Sequence, residues 1–312
     1  MKTLLSITPL IAALLMLSPT AGHAQGAGRK GPGGSHKKAS WQMPPVQGAN
    51  LHYKTFESKA AGESVSYLIY LPEAYEQKKD ARFPVVVWLH GLGGSQQGVP
   101  RMCANFTSAI AQGKMPPVIV VFANGMIDGF YNDAINAPSP IETVIIKELI
   151  PHVDATYRTI AARKARMIEG FSMGGYGAGH FGFKYPELFG SVSMIDAAVV
   201  DLNVMKNRHA EVFQRIFDGK DESFTAAHPV ALAEKNAVQI KGRMLIRQAV
   251  GALVAPNEAL HGQMTSLGIA HDYVVFEGIG HNLAAIYERL GDKNWEFYAK
   301  AFGGLPGAAN SK

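Results

Sequence analysis

Between an apolar run and a stretch of small residues the chain reads Gly170-Phe171-Ser172-Met173-Gly174. A serine hydroxyl is a weak nucleophile at its ordinary pKa and needs both geometry and a base before it attacks. A sharp turn from strand to helix supplies the geometry, and glycines flank it because side chains there would collide. The chemistry this predicts is acyl transfer through a covalent intermediate on Ser172. The base is expected after the last strand, where Gly278, Gly280 and His281 lie in one loop. The glycines let that loop carry His281 back towards the serine, and a serine followed by a C-terminal histidine matches the order found with such a nucleophile turn. His180 falls on the helix after the serine and is read as structural, and His261 and His271 have no comparable placement.

Acyl transfer also needs donors for the oxyanion that forms on the attacked carbonyl. His90-Gly91-Leu92-Gly93-Gly94 ends another apolar run, and the backbone N–H of Leu92 is assigned as one donor. The other is the N–H of Met173, directly after the nucleophile. His90 is read as ordering that loop. Residues 124–133 should border the cleft, and Tyr131 is the candidate for contact with an acyl or aromatic group; an ordinary loop with tucked-in aromatics is the competing reading.

The elements that must position these groups follow from hydrophobic pattern. Leu51 to Phe56 and Ser64 to Leu71 read as antiparallel strands turning at Gly62. Phe83 to Leu89 and Pro117 to Phe122 are continuous apolar runs rich in β-branched residues, which suits strands buried on both faces of a parallel sheet. Met167 to Gly170, Ser191 to Ile195, Met244 to Ala249 and Tyr273 to Phe276 complete the strands. Helices are predicted over 102–111, from Pro140 onward, over 174–185 and over 256–267, with residues 197–240 as an irregular, helical insertion. This alternation predicts a mostly parallel α/β sheet with helices on both faces and ligands at the carboxyl ends of its strands.

Residues 64–302 resemble the esterase family of α/β-hydrolases that contains feruloyl esterases, acetyl xylan esterases and S-formylglutathione hydrolases. The residues carrying the resemblance are Pro84 to Ser95, Gly170 to Gly175, Phe183 to Gly190 and the Gly278 to His281 loop. The resemblance implies the α/β-hydrolase fold, an ester substrate, and a Ser-His-Asp triad working without metal or organic cofactor. One departure stands out. The family's acid follows the strand before the last, and here residues 247–257 contain no acid and are about three residues short. Asp196, at the end of the strand after the nucleophile helix, is the chosen substitute, with a helix-cap role as its alternative. Asp201 and Glu277 are weaker candidates. A Ser-His dyad or an inactive homologue would also account for the missing acid.

Composition bounds the remaining possibilities. The chain has 312 residues, 30 Lys and Arg against 25 Asp and Glu, and one cysteine, Cys103, so no intrachain disulfide forms. Lys2, Arg29, Lys30, Lys37 and Lys38 fall within residues 1–40, where there is no acid, so the rest is charge-balanced and offers no basic face for nucleic acid. Residues 1–24 read as a secretory signal ending at Ala24, 25–40 as a flexible Gly-rich basic leader, 41–304 as one α/β-hydrolase domain and 305–312 as a tail. The apolar run from Leu4 to Leu17 is too short for a stable membrane span. A secreted or periplasmic serine esterase is the leading expectation; a binding protein that has lost its acid and an acyltransferase using the same site are the alternatives.

Overall fold

The computed structural model describes residues 40–305. The predicted signal, residues 25–39 and residues 306–312 lie outside the described residues. Eight strands form one sheet: β1 (Leu51–Ser58), β2 (Glu63–Tyr70), β3 (Val85–Leu89), β4 (Ile119–Ala123), β5 (Arg166–Phe171), β6 (Ser191–Ile195), β7 (Leu245–Val250) and β8 (Asp272–Val275). Their spatial order is β1-β2-β4-β3-β5-β6-β7-β8. β1 and β2 form an antiparallel pair that joins β4 antiparallel, and every pairing from β4 to β8 is parallel. The chain thus has the mostly parallel α/β sheet that its hydrophobic pattern predicts, in the α/β-hydrolase architecture that the resemblance implies.

Strand alternation divides the core between the two faces. Val86 and Trp88 of β3 pack with α2 (Val99–Ala111) and the C-terminal helix over Asp292–Phe302, through Met102, Phe106, Phe297 and Tyr298. Val85 and Val87 point the other way, into a cluster with Val144, Ile145, Phe181 and Leu260. The other helical elements up to the nucleophile helix are, in chain order, α1 (Glu73–Gln77), α3 (Ile141–Thr143), a π-helical segment (Val144–Leu149), α4 (Ile150–Thr156) and α5 (Met173–Lys184). The π segment has a local cause. Pro151 sits in the first turn of α4 with no N–H to give, so the regular ladder is interrupted there.

Residues 197–240 fold as α6 (Leu202–Arg208), α7 (Ala210–Phe217), α8 (Asp221–Ala227), α9 (Pro229–Lys235) and α10 (Ala237–Ile240). α11 (Val254–Ser266) follows β7, and α12 (Leu283–Leu290) and α13 (Asp292–Phe302) close the described fold. Among the described residues, no helix is long and apolar enough to cross a membrane.

A buried charge cluster locks α3 to the nucleophile helix. Glu142 accepts hydrogen bonds from His180 Nε2 at 2.8 Å and from the Tyr185 hydroxyl, with Lys184 Nζ at 2.6 Å. His180 Nδ1 faces the Ala227 carbonyl at 2.6 Å, so both ring nitrogens meet oxygen partners. Burial opposes the charge on Glu142, but His180, Lys184 and Tyr185 outweigh it and pull its pKa down from 4.5 to about 2. A depressed carboxylate stabilises the fold above its unfolded pKa and loses that contribution as pH falls through its folded value. Glu142→Gln is therefore expected to cost about 3 kcal/mol at pH 7, a difference that shrinks between pH 4.5 and about 2. Urea unfolding of both proteins across that range measures it; a gap that stays constant with pH would refute the assignment.

Candidate active site

Ser172 sits between β5 and α5 with φ 59° and ψ −118°, a backbone state that side chains other than glycine rarely adopt. Its neighbours hold it there. Its N–H donates to the Ile195 carbonyl at 2.9 Å, and its carbonyl accepts from Ala198 N–H at 2.8 Å. Close approach explains the glycine two residues on: a Cβ at Gly174 would lie 2.0 Å from the Leu89 carbonyl oxygen. The turn lifts the hydroxyl clear of the sheet, and the imidazole meets it there, with His281 Nε2 at 2.8 Å from Ser172 Oγ.

The other side of that ring meets Asp196. His281 Nδ1 lies 2.6 Å from Asp196 Oδ2, so Nδ1 carries the hydrogen and Nε2 is left to accept from the serine hydroxyl. Phe171 stacks on the imidazole with centroids 4.6 Å apart, fixing its plane. Asp196 is fully buried, at the end of β6, in a left-handed conformation with φ 41°. Its Oδ1 accepts from the N–H groups of Gly251 at 3.0 Å, Ala252 at 3.2 Å and Leu253 at 2.9 Å, and Ala252 N–H also reaches Oδ2 at 3.1 Å. The shortened segment after β7, which lacks an acid, therefore supplies the donors that hold one. Burial raises the Asp196 pKa, but the bonds from His281, Leu253, Ala252 and Gly251 outweigh it and hold the carboxyl below the ordinary aspartate value.

The loop after β3 lies against the serine: a Cβ added at Gly91 would sit 3.4 Å from the Cβ of Ser172. Buried His90 shapes this loop. Its Nε2 accepts from Gly125 N–H at 3.0 Å, so Nδ1 carries the hydrogen and donates to the Gly91 carbonyl at 2.8 Å. Burial lowers the His90 pKa and keeps the ring neutral, as that pattern demands. Gly93 N–H donates to Ile127 at 2.6 Å, while Leu92 N–H donates to no backbone carbonyl among the described residues. Met173 opens α5, where an N–H has no intrahelical acceptor. The Leu92 side chain is 53% exposed.

The expectation that Tyr131 contacts substrate is corrected. Tyr131 is fully buried, and its hydroxyl donates to the His90 carbonyl at 2.9 Å. Its ring lies so close to α5 that a Cβ at Gly177 would fall 2.4 Å from it. It braces the His90 loop from below and does not face the cleft. The other carboxylates considered lie elsewhere: Asp201 caps α6 by accepting from Val204 N–H at 2.8 Å, and Glu277 is exposed on the loop after β8.

One group absent from the sequence reading ties the site's supports together. Glu169, three positions before the nucleophile and fully buried, accepts from Arg247 Nη2 at 2.8 Å and from the hydroxyls of Tyr287 at 2.6 Å and Tyr298 at 2.7 Å. Arg247 Nε donates in turn to Ser193 Oγ at 2.8 Å. The cluster joins β5, β6 and β7 to α12, which begins two residues after His281. An acid and a base inside otherwise apolar strands are the sequence signal that points to it.

An imidazole between a serine hydroxyl and a buried carboxylate can take the hydroxyl proton during attack and stabilise the cation that results. The Esterase family model matches residues 58–304 of the chain. The chain is 32% identical over 153 residues to an endo-1,4-beta-xylanase/feruloyl esterase of Xylanibacter ruminicola, a match spanning 46% of this chain and 21% of that protein. It is 32% identical over 146 residues to an esterase of Mycobacterium tuberculosis, spanning 46% of this chain and 31% of the other. The chain thus aligns with less than a third of the length of these curated relatives. Among solved structures, a ferulic acid esterase superposes with a TM-score of 0.70 at 22% identity, covering 81% of this chain and 98% of that one, which is a likeness of fold. With a family match that takes in all the strands from β2 to β8, the chain belongs to the esterase family of α/β-hydrolases.

Proposed function

We propose that the protein is an exported carboxylic ester hydrolase that works through an acyl-enzyme on Ser172. The observation that supports this most is the continuous relay from Ser172 Oγ through His281 to Asp196, with contacts of 2.8 and 2.6 Å. In this reading Ser172 Oγ attacks the ester carbonyl and its proton passes to His281 Nε2. The N–H groups of Leu92 and Met173 hold the oxyanion. As the tetrahedral intermediate collapses, the C–O bond breaks and the alcohol leaves with the proton from His281. Water then attacks the acyl-enzyme, gives a proton to His281, and releases the acid while Ser172 recovers its hydrogen. Asp196 keeps its charge throughout and stabilises the imidazolium. Export rests on the signal-like pattern of residues 1–24.

The buried, ionised Asp196 favours an active enzyme over a binding protein, because an idle carboxylate at full burial would be a cost with no return in function. A fluorophosphonate probe tests the reading, since it phosphonylates only an activated serine. The full chain is expected to be labelled at Ser172, as located by peptide mass spectrometry, and to hydrolyse p-nitrophenyl acetate. Protein that does neither would end this proposal. Adding methanol to the assay and analysing products separates hydrolysis from acyl transfer.

A further inference from the structure

A cavity of 640 Å³ is lined by none of the relay residues but by their neighbours in the chain. Its volume is typical of a small-molecule site. Val200, Leu202 and Phe224 form one side, and α11 faces them with Ala255 and Ala259, four positions apart and so on one helix face. Both walls continue loops that frame the relay. Val199 follows Ala198, whose N–H is bonded to the Ser172 carbonyl, and Ala255 lies two residues beyond Leu253, which holds Asp196.

The charged groups lining the cavity are the carboxylates of Asp201 and Glu234, with no lysine or arginine. The remaining titratable group is His228, whose Nδ1 accepts from Val230 N–H at 3.3 Å while Nε2 donates to the Val200 carbonyl at 3.2 Å. Burial pulls its pKa down to about 4, so it adds no positive charge at neutral pH. Apolar walls under an acidic rim repel anions and reward transfer of uncharged apolar surface from water. We propose that this cavity receives a neutral apolar group of the ester, aromatic or branched aliphatic, and discriminates against one carrying a carboxylate. The inference rests on the ester-hydrolase reading above.

Isothermal titration with 2-naphthol and its anionic counterpart 2-naphthoate tests the cavity without requiring turnover. The naphthol is expected to bind at least about ten-fold more tightly. Ala259→Trp fills the cavity from an exposed position and should weaken naphthol binding about ten-fold at unchanged Tm; Ala231→Phe repeats the test from α9. In kinetics, Ala259→Trp should leave kcat/KM for ethyl acetate within about two-fold while lowering that for a bulky ester about ten-fold. Loss on ethyl 3-phenylpropionate places the acyl group in the cavity, and loss on 2-naphthyl acetate places the alcohol there. Equal binding of naphthol and naphthoate, unaltered binding in both filled variants, or naphthol binding with neither bulky ester affected would overturn the inference. Failure of the serine reading would show separately, in Ser172 labelling.

Discussion

Asp196→Asn is expected to lower kcat on p-nitrophenyl acetate about 10⁴-fold while the protein stays folded. The size of the loss comes from two effects. An amide cannot neutralise the imidazolium that forms on His281 during attack. Its NH₂ would also meet two donors, since Asp196 Oδ2 now faces both His281 Nδ1 and the N–H of Ala252. The amide oxygen must therefore serve one set of donors or the other, and the ring loses the partner that fixes its tautomer. Folding should suffer far less, because the oxygen can still accept from Gly251 and Leu253; a cost of about 1–3 kcal/mol is expected. Steady-state kinetics and thermal unfolding on the same preparation separate the two effects. Asp201→Asn and Glu277→Gln should retain activity within about two-fold, since one residue caps a helix and the other is exposed. Full activity in Asp196→Asn, or a collapse in either control, would show that the wrong carboxylate had been assigned.

The second large effect concerns the nucleophile. Ser172→Ala should lower kcat about 10⁶-fold and abolish labelling by the fluorophosphonate probe. Stability should barely change, since alanine meets the same left-handed backbone penalty that serine already bears at φ 59°. The informative comparison is the double variant. If Ser172 and His281 act as one unit, Ser172→Ala/His281→Ala should be no slower than either single change. Additive losses in this cycle would mean that the 2.8 Å contact between them does not carry the proton.

Much of this arrangement was legible in the residues themselves. The apolar runs marked the central strands because strands covered on both faces have no polar side to hide. Ser172, His281 and Asp196 were each placed by their position after a strand, and the structure brings their side chains within hydrogen-bonding distance. Two things were not legible. The segment after β7 read as a place where an acid was missing, because a sequence displays side chains while the donors there are the backbone N–H groups of Gly251, Ala252 and Leu253. Tyr131 read as a cleft residue because its loop follows a strand end. Its left-handed backbone at φ 54° turns the ring inward instead, a reversal that hydrophobic pattern cannot report.

The Glu169 cluster has a consequence for the order in which the chain can mature. The carboxylate stands three positions before the nucleophile, yet two of the groups that satisfy it, Tyr287 and Tyr298, come from the last two described helices. An assembly of β1 to β7 alone holds Glu169 and Arg247 but no phenol to complete their shell, so that patch must stay hydrated. Dry closure of the central sheet therefore awaits the docking of Tyr298, and the same late event draws in α12, whose first turn follows His281. Reactivity and final compaction would thus arrive together, when α12 and α13 dock.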